Sequence, residues 1–309
     1  MKNKSKRLRV IISSDMHYSI SSKEPYTVQS NYYGITNDER LQHWVDAIKE
    51  EHKRDPIDLL LIAGDVSFDL CDKRGTVTNG LGSTVEPFME KYVSRLPREI
   101  PMFILPGNHD PYYDVNWVKK TGFHRQGYME LEGHLFILVD TFPEGMEENY
   151  DIEKGTPYVQ VDVEYIQSVM DQYPTHKVWL VSHYFHHKGE SDAFRELVRE
   201  NDRIIGLFAG HSHQSSVIPM GEEYANKTIA QTGHYSYSFY RPFPTGNVED
   251  EFNDFFGFRE LIIEGDHAYS NYIVPDTKGM PLVLKDNVTK VDLRRRETHH
   301  VEYSIKKNK

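Results

Sequence analysis

Five short apolar runs of this sequence each end in polar residues of the kinds that bind metal ions. The runs occupy residues 8–12, 57–63, 101–105, 177–181 and 203–209. The polar clusters that follow them are Asp15-Met16-His17, Gly64-Asp65, Gly107-Asn108-His109-Asp110, Ser182-His183 and Gly210-His211-Ser212-His213. In open α/β sheets ligands bind in the crevice outside the carboxyl ends of the strands, so the five clusters could converge on one site.

Taken one at a time, these clusters have ordinary structural explanations. A Gly-Asp pair is most often a turn, and a single histidine after a strand is more often part of a hydrogen-bonded structure than a ligand. The pair His211 and His213 is a stronger signal, because one small intervening residue lets both imidazoles face one cavity. The occurrence of all five clusters, each after an apolar run, favours a site over coincidence.

The clusters supply seven side chains with oxygen or imidazole donors and no thiolate. This donor set suits Mn²⁺, Fe²⁺ or Zn²⁺ and disfavours a soft metal or an all-oxygen Ca²⁺ site. Seven donors exceed the needs of one tetrahedral ion, whereas two ions about 3.5–4 Å apart that share one carboxylate would use them all. The seven side chains are Asp15, His17, Asp65, Asn108, His183, His211 and His213.

Two bound divalent ions would make this site cationic inside an acidic protein. The chain contains 36 Lys and Arg against 47 Asp and Glu, which gives a formal net charge of −11. Two divalent ions beside two aspartates leave a local charge of about +2, which attracts a phosphate ester although the surface does not. We therefore expect a small phosphate-ester substrate, and neither long nucleic acids nor anionic membranes as partners.

The elements that must position these residues alternate between strand and helix. The apolar runs have the length of strands and are continuous, which is typical of strands covered on both faces. Apolar residues at helical spacing predict helices over residues 36–52, 161–173 and 191–201, the first with Asn37 as its N-cap. This alternation predicts a layered α/β fold.

The last part of the chain has a different pattern. Residues 258–274 predict a β-hairpin that turns at Gly265 and Asp266. Residues 285–309 form a basic extension, which we interpret as a solvated segment or a strand at a sheet edge. No repeat or linker divides residues 1–284, so we expect them to form one domain.

Cysteine content and hydropathy indicate the compartment. The single cysteine, Cys71, excludes an internal disulfide and fits a reducing environment. The basic residues 1–9 are followed by only three apolar residues, fewer than the ~7–15 of a signal peptide, and no run reaches the ~18 of a membrane span. We expect a soluble, cytoplasmic protein, and the sequence leaves open whether it forms a homo-oligomer.

The order of the five clusters resembles the calcineurin-like metallophosphoesterases. The pattern of that family is D-x-H, G-D, G-N-H-[D/E], H and G-H-x-H, and here it stands complete as DMH, GD, GNHD, SH and GHSH. The resemblance spans about residues 8–235. It implies a four-layer αββα sandwich, in which helices flank two central, mainly mixed β-sheets, with the site at their loop edge. Residues 1–284 would then be the catalytic domain, followed by the extension 285–309.

The resemblance also implies a role for each residue of the pattern. One metal ion would be held by Asp15, His17 and His213, the other by Asn108, His183 and His211, with Asp65 bridging them. A hydroxide between the ions would be the nucleophile. His109 would stabilise the transition state or protonate the leaving oxygen, and Asp110 would orient it.

One residue separates this sequence from the purple acid phosphatases. Those proteins have G-D-x-x-Y, whose tyrosinate binds ferric iron, whereas Phe68 stands at that position here. The first cluster is D-x-H rather than the D-x-G of the purple branch. We therefore expect a protein without the purple charge-transfer band of an iron-bound tyrosinate, similar to the cyclic-nucleotide phosphodiesterase-like members of the family.

The sequence leaves the substrate open between phosphodiesters, phosphomonoesters and nucleotide pyrophosphates. A diester with an aromatic group would fit the many aromatic residues in three loops, residues 18–36, 71–84 and 240–258, although packing explains such residues at least as well. The aromatic candidates are Tyr18, Tyr32, Tyr33, Tyr112, Tyr235 and Phe243. His186, His187 and His234 are candidates for the pocket, with exposed imidazoles as the alternative.

A scaffold protein and a nuclease are the alternatives to a small-substrate phosphoesterase. A scaffold of the same fold would be expected to have lost ligands or the histidine of GNHD, and none is lost here. A nuclease would need a basic track for the nucleic-acid backbone, and the sequence has no basic block near the clusters. The phosphoesterase is therefore preferred.

Overall fold

The structure is a computed structural model that describes most of the chain. The described residues are 7–18, 35–67, 83–144, 158–235, 255–277, 280, 283–284, 289–290 and 294–305. Phe68 and Cys71 lie outside them, as do Tyr32, Tyr33 and Phe243.

Fourteen strands and five α-helices are present in the described residues. The strands are β1 (Leu8–Ser13), β2 (Leu59–Ala63), β3 (Met102–Leu105), β4 (Gly127–Leu131), β5 (His134–Val139), β6 (Lys177–Ser182), β7 (Ile204–Ala209), β8 (Val217–Pro219), β9 (Thr228–Gln231), β10 (Phe258–Glu264), β11 (His267–Val274), β12 (Val283–Leu284), β13 (Thr289–Lys290) and β14 (Arg296–Ser304). The helices are α1 (Asn37–Arg54), α2 (Val85–Lys91), α3 (Asp114–Thr121), α4 (Val163–Gln172) and α5 (Asp192–Glu200), and 3₁₀ turns lie at Val93–Arg95 and Glu222–Tyr224.

The strands form two mixed sheets of six strands each and one short two-stranded ribbon. The first sheet has the order β14-β11-β10-β1-β2-β3, and the second has the order β4-β5-β6-β7-β9-β8. In the first sheet β1, β2 and β3 are parallel, and in the second β5, β6, β7 and β9 are parallel. Each sheet therefore has one edge at which the carboxyl ends of several parallel strands meet.

Three apolar layers hold the sheets and helices together. The layer between the two sheets contains Val10 and Leu61 from the first sheet and Phe136, Trp179 and Phe208 from the second. The outer face of the first sheet packs against α1–α3, and the outer face of the second packs against α4 and α5. These layers confirm the expected four-layer α/β sandwich.

The expected elements recur in the structure with small changes at their ends. All five apolar runs are strands, and the three expected helices are α1, α4 and α5. The hairpin of β10 and β11 turns at Gly265 and Asp266, as the sequence predicts.

The N-cap of α1 is Thr36, so the expectation of Asn37 at that position is wrong. The Thr36 hydroxyl accepts the N–H of Glu39, and the Glu39 carboxylate accepts the N–H of Thr36, which completes a capping box. Asn37 is already helical, and its side-chain amide donates to the carbonyl oxygen of Met16 at 3.2 Å. The side chain of Asn37 therefore holds the loop after β1 instead of capping the helix.

In the basic extension, β13 lies in the two-stranded ribbon, and β14 is a strand at the edge of the first sheet. β14 pairs antiparallel with β11 at the end of the first sheet. The ring of Tyr303 lies buried between the sheets, with its centroid 5.2 Å from that of Trp179 and 6.1 Å from that of Phe208. β14 therefore contributes to the central apolar layer.

None of the helices in the described ranges is long and apolar enough to cross a membrane.

Tyr303→Ala should lower the free energy of unfolding by about 3 kcal/mol, because it removes a buried aromatic ring from the layer between the sheets. Chemical denaturation followed by circular dichroism measures this change. Glu302→Ala is the matched control, since Glu302 is exposed on the same strand. Equal stability of the two variants would mean that β14 does not pack in this layer.

Candidate metal centre

The loops after β1 and β2 lie side by side. The N–H of Asp15 donates to the carbonyl oxygen of Gly64 at 3.1 Å, and the N–H of His17 donates to that of Asp65 at 2.9 Å. These bonds continue the parallel pairing of β1 and β2 past the ends of the strands. Backbone hydrogen bonds alone therefore hold the first two clusters side by side.

The two sheets both contribute side chains to one buried cluster. Asp15, His17, Asp65 and Asn108 follow β1, β2 and β3 of the first sheet, and His183, His211 and His213 follow β6 and β7 of the second. Six of the seven are buried, and His211 is half-buried. The structure therefore brings together all seven residues that the sequence predicts as metal ligands.

The carboxylate of Asp65 is shared between two sets of possible ligands. Its Oδ2 atom lies 3.4 Å from Nε2 of His17 and 3.1 Å from Nε2 of His183. The first set consists of Asp15, His17, Asp65 and His213, and the second of Asp65, His183 and His211; within each set the ligand atoms lie within 4.8 Å of one another.

Asn108 joins the second set. Its Oδ1 atom lies 3.1 Å from Nε2 of His183 and 2.9 Å from Nδ1 of His211. Nδ1 of His183 is engaged with the carbonyl oxygen of Ala63 at 2.7 Å, which points Nε2 toward the cluster. A hydrogen bond at the far nitrogen of an imidazole is the usual way of orienting a histidine ligand.

The first set has the features of a cation site. Nε2 of His17 and Nε2 of His213 face each other at 2.9 Å, so two imidazole nitrogens converge on one point. Oδ1 of the buried Asp15 lies 3.2 Å from Nε2 of His213 and 3.7 Å from Nε2 of His17. A divalent cation would satisfy these atoms together, and the oxygen and imidazole donors fit Mn²⁺, Fe²⁺ or Zn²⁺.

Five of the seven ligand residues have a left-handed backbone. Their φ angles lie between 43° and 69°, a region that residues other than glycine seldom adopt. Each such residue costs on the order of 1–3 kcal/mol, and such residues concentrate at functional sites. The five residues are Asp15, His17, Asp65, His211 and His213.

Two glycines of the predicted clusters allow the loops to approach closely. A Cβ atom on Gly64 would lie 2.6 Å from Nδ1 of His183, and one on Gly107 would lie 2.1 Å from Oδ1 of Asp65. Both distances are too short for real contacts. These glycines therefore allow His183 and Asp65 to occupy their positions.

Neighbouring charges shift the pKa values of the side chains inside the cluster. Burial would lower the pKa of His183, but the neighbouring carboxylate of Asp65 raises it to about 9. Burial would likewise raise the pKa of Asp65, and the imidazoles of His183 and His109 hold it below its usual range. A metal ion bound here would replace the proton of His183, because a histidine must be neutral to act as a ligand.

His109 lies at the rim of the first ligand set. Its N–H donates to Oδ1 of Asp65 at 2.8 Å, and its ring centroid lies 4.8 Å from that of His17. Burial lowers the pKa of His109 to about 3 despite the opposing charge of Asp65. The structure thus places a neutral imidazole beside the predicted ligands.

Asp110 links two of the loops that carry ligands. Its Oδ1 atom accepts from the N–H and the hydroxyl of Ser67, and its Oδ2 atom accepts from the N–H groups of Val66 and Gly107. Burial and the charge of Asp65 raise its pKa to about 7. These bonds place Asp110 under the backbone that carries Asp65 and His109.

Arg125 is a buried residue of this region that the sequence analysis does not identify. Its guanidinium donates to the carbonyl oxygens of Asp110, Tyr112 and Phe142, and it pairs with Asp140 at 2.6 Å. It therefore ties the loop after β3 to the loop after β5. Arg125 stands in a short turn outside every motif, so no local sequence signal marks it.

The described aromatic candidates from the sequence are part of the core. Tyr18, Tyr112 and Tyr235 are all buried in the layer between the first sheet and its helices, which agrees with the packing alternative. Tyr184 was not a candidate, and its ring centroid lies 4.6 Å from that of His211. Its position directly after His183 is the sequence signal that could have identified it.

The three additional histidines occupy different environments. His234 is buried, with its ring centroid 5.8 Å from that of His213. His186 is exposed and lies 6.0 Å from the ring of Tyr184. His187 is half-buried, and its carbonyl oxygen accepts from the hydroxyl of Tyr224.

The two-sheet sandwich and a carboxylate shared between two sets of possible metal ligands are the features by which this protein can be compared with known families. The family model described as calcineurin-like phosphoesterase matches residues 8–215, more than half of the chain. The chain belongs to the calcineurin-like phosphoesterase family. No curated protein sequence gives a significant match.

Solved structures with the same fold differ widely in sequence. A dimetal phosphatase from Danio rerio superposes with a TM-score of 0.63 at 10% identity, covering 98% of this chain and 100% of that one. The GAP50 anchor in the inner membrane complex of Plasmodium superposes with a TM-score of 0.53 at 14% identity, covering 98% and 90%. At these identities the likeness supports the fold alone.

Asp65→Asn should lower the number of Mn²⁺ ions bound per chain from about two to one or none, because both ligand sets lose the negative charge that they share. Equilibrium dialysis of metal-stripped protein with Mn²⁺ measures this number. Asp58→Asn is the matched control, because Asp58 is a carboxylate outside the cluster that accepts the N–H of Arg9. Unchanged binding by the Asp65 variant would show that Asp65 is not a shared ligand.

Proposed function

We propose that the protein is a phosphoesterase that requires two divalent metal ions, Mn²⁺, Fe²⁺ or Zn²⁺, and hydrolyses a small phosphodiester of the nucleotide type. The observation that carries this proposal is the position of the Asp65 carboxylate between the two ligand sets. Asp15, His17 and His213 complete one set, and Asn108, His183 and His211 complete the other. Two ions bound there would lower the pKa of a water molecule and neutralise the oxygens of a phosphoryl group.

His109 is the residue that we assign to the reacting phosphoryl group. It lies beside the ligands, and burial keeps its imidazole neutral. Nearby cations would lower its pKa further, so it would act by donating an N–H hydrogen bond to an oxygen of the transition state. Asp110 would hold His109 in place through the backbone of residues 66, 67 and 107, which its carboxylate binds.

The charges around the cluster support a diester rather than a monoester. The chain has a formal net charge of −11, and the two ligand sets contain two aspartates. A phosphomonoester carries one more negative charge than a diester and is usually matched by a guanidinium or an ammonium group. The singly charged diester fits this site better.

Metal-reconstituted protein should hydrolyse bis-p-nitrophenyl phosphate with a higher kcat/KM than p-nitrophenyl phosphate. Metal is stripped from the protein, Mn²⁺ is added back, and the release of p-nitrophenolate from both esters is followed by absorbance. Asp65→Asn should abolish both activities, and Asp58→Asn should retain them.

Three other outcomes would each replace this proposal with a different one. Preference for the monoester would indicate a phosphomonoesterase, and cleavage of nucleotide pyrophosphates alone would indicate a pyrophosphatase on the same core. Full metal binding without turnover of any of these esters would indicate a scaffold protein.

His109→Ala should lower kcat for bis-p-nitrophenyl phosphate by about 10²–10⁴-fold while the bound metal is unchanged, since His109 is assigned to the transition state and not to a metal. Steady-state kinetics and metal analysis are made on the same preparation. His124→Ala is the matched control, because His124 is exposed and paired with Asp114. Normal turnover with metal retained would remove His109 from the mechanism.

A further inference from the structure

Three aromatic side chains form a wall beside the second ligand set, and the function proposed above does not use them. We call Tyr158, Tyr184 and His186 the aromatic wall. The ring of Tyr184 contacts that of His211, with the centroids 4.6 Å apart. Nδ1 of His211 in turn lies 2.9 Å from Oδ1 of Asn108. The wall therefore lies directly against a candidate ligand of the second set.

Two residues of the wall are accessible to solvent. The rings of Tyr184 and His186 are nearly parallel, at 19°, with centroids 6.0 Å apart. Tyr184 is half-buried and His186 is exposed. A molecule bound at the ligand cluster could therefore extend a flat group along these rings.

Tyr158 packs edge-on against the other two rings of the wall. Its ring meets Tyr184 at 5.6 Å and His186 at 5.7 Å, both in edge-on geometry. Its hydroxyl donates to the buried carboxylate of Glu190 and accepts the N–H of His186 at 3.2 Å. The wall is thus held by a buried anchor.

The loop that carries the wall is also closely packed. The N–H of Gly189 donates to the carbonyl oxygen of His186 at 2.7 Å, which closes a tight turn. A Cβ atom on Gly189 would lie 2.3 Å from the ring of His186, so the ring lies directly on the backbone of this turn. Gln160 donates to the carbonyl oxygen of Gly189 at 3.0 Å, which ties the turn to the chain around Tyr158.

The chemistry of the wall favours an uncharged flat group. The two carboxylate oxygens of Glu190 accept from the hydroxyl of Tyr158 and from the N–H of Val161. That carboxylate is therefore engaged inside the fold and does not offer a charge to a cationic ligand. Aromatic rings of this kind can stack on an aryl group or a nucleobase.

We propose that the aromatic wall binds an aromatic group on the ester arm that stays on phosphorus after cleavage, so that the enzyme selects phosphodiesters in which this arm carries an aryl or nucleobase ring. This inference rests on the proposed phosphodiesterase function. Tyr184 is the residue that determines the preference, because it lies nearest to the ligand cluster.

The test compares two diesters that release the same p-nitrophenolate. One is p-nitrophenyl phenyl phosphate and the other is p-nitrophenyl methyl phosphate, so they share the leaving group and differ only in the ester arm that stays on phosphorus. The measured quantity is the ratio of kcat/KM for the phenyl ester to kcat/KM for the methyl ester. Intrinsic reactivity cancels when this ratio is compared between wild type and variants.

Tyr184→Ala should lower the ratio by about tenfold, since stacking on one aromatic side chain contributes an effect of that size. Tyr184→Phe should keep the ratio because it keeps the ring. Tyr128→Ala is the matched control, since Tyr128 is an exposed tyrosine on β4 in the second sheet. The dissociation constants of phenylphosphonate and methylphosphonate give the same comparison without turnover.

The outcomes separate this inference from the proposed function. An unchanged ratio in Tyr184→Ala, or an equal loss with both esters, would overturn the inference and leave the phosphodiesterase intact. If the reconstituted wild type hydrolyses neither ester, the proposed function fails, and the inference fails with it.

Discussion

The packing of the two sheets against each other is the contact on which the rest of the structure depends. Phe136, Trp179 and Phe208 of the second sheet lie buried against apolar side chains of the first. Burial of each such ring contributes about 1.5–3 kcal/mol. Because each sheet supplies part of the candidate ligand cluster, these side chains come together only when the sheets pack in this one arrangement. The fold and the site are therefore specified by the same apolar layer.

The sequence predicts well those features that depend on residues close together in the chain. Continuous apolar runs identify the strands, and the residues directly after them identify all seven candidate ligands, because position after a strand decides where those side chains meet. The sequence does not identify Arg125, because its partners lie in loops that only the tertiary fold brings together. The same is true of Asn37, whose contact with the carbonyl of Met16 depends on how α1 docks on the sheet.

The loops at the metal centre combine backbone strain with rigid support. Asp15 and Asp65 have left-handed backbones, and Asp110 accepts four hydrogen bonds from beneath one of these loops. Strained residues persist only where the surroundings determine their conformation. Asp110 supports the loop that carries Asp65, and Arg125 supports the loop after β3, which carries Asn108. Ligand geometry at this site is thus prepared by groups that need not touch the substrate.

The strand order of the first sheet has a consequence for how the protein is made. β1 lies between β2 and β10, so Leu8 pairs with Ile263 although about 250 residues separate them. Contacts of such separation form slowly, and exposed strand edges invite aggregation in the meantime. During synthesis, β1 must wait for residues 258–264 to leave the ribosome. The loop that carries Asp15 and His17 therefore gains its complete support only after β10 has been synthesised.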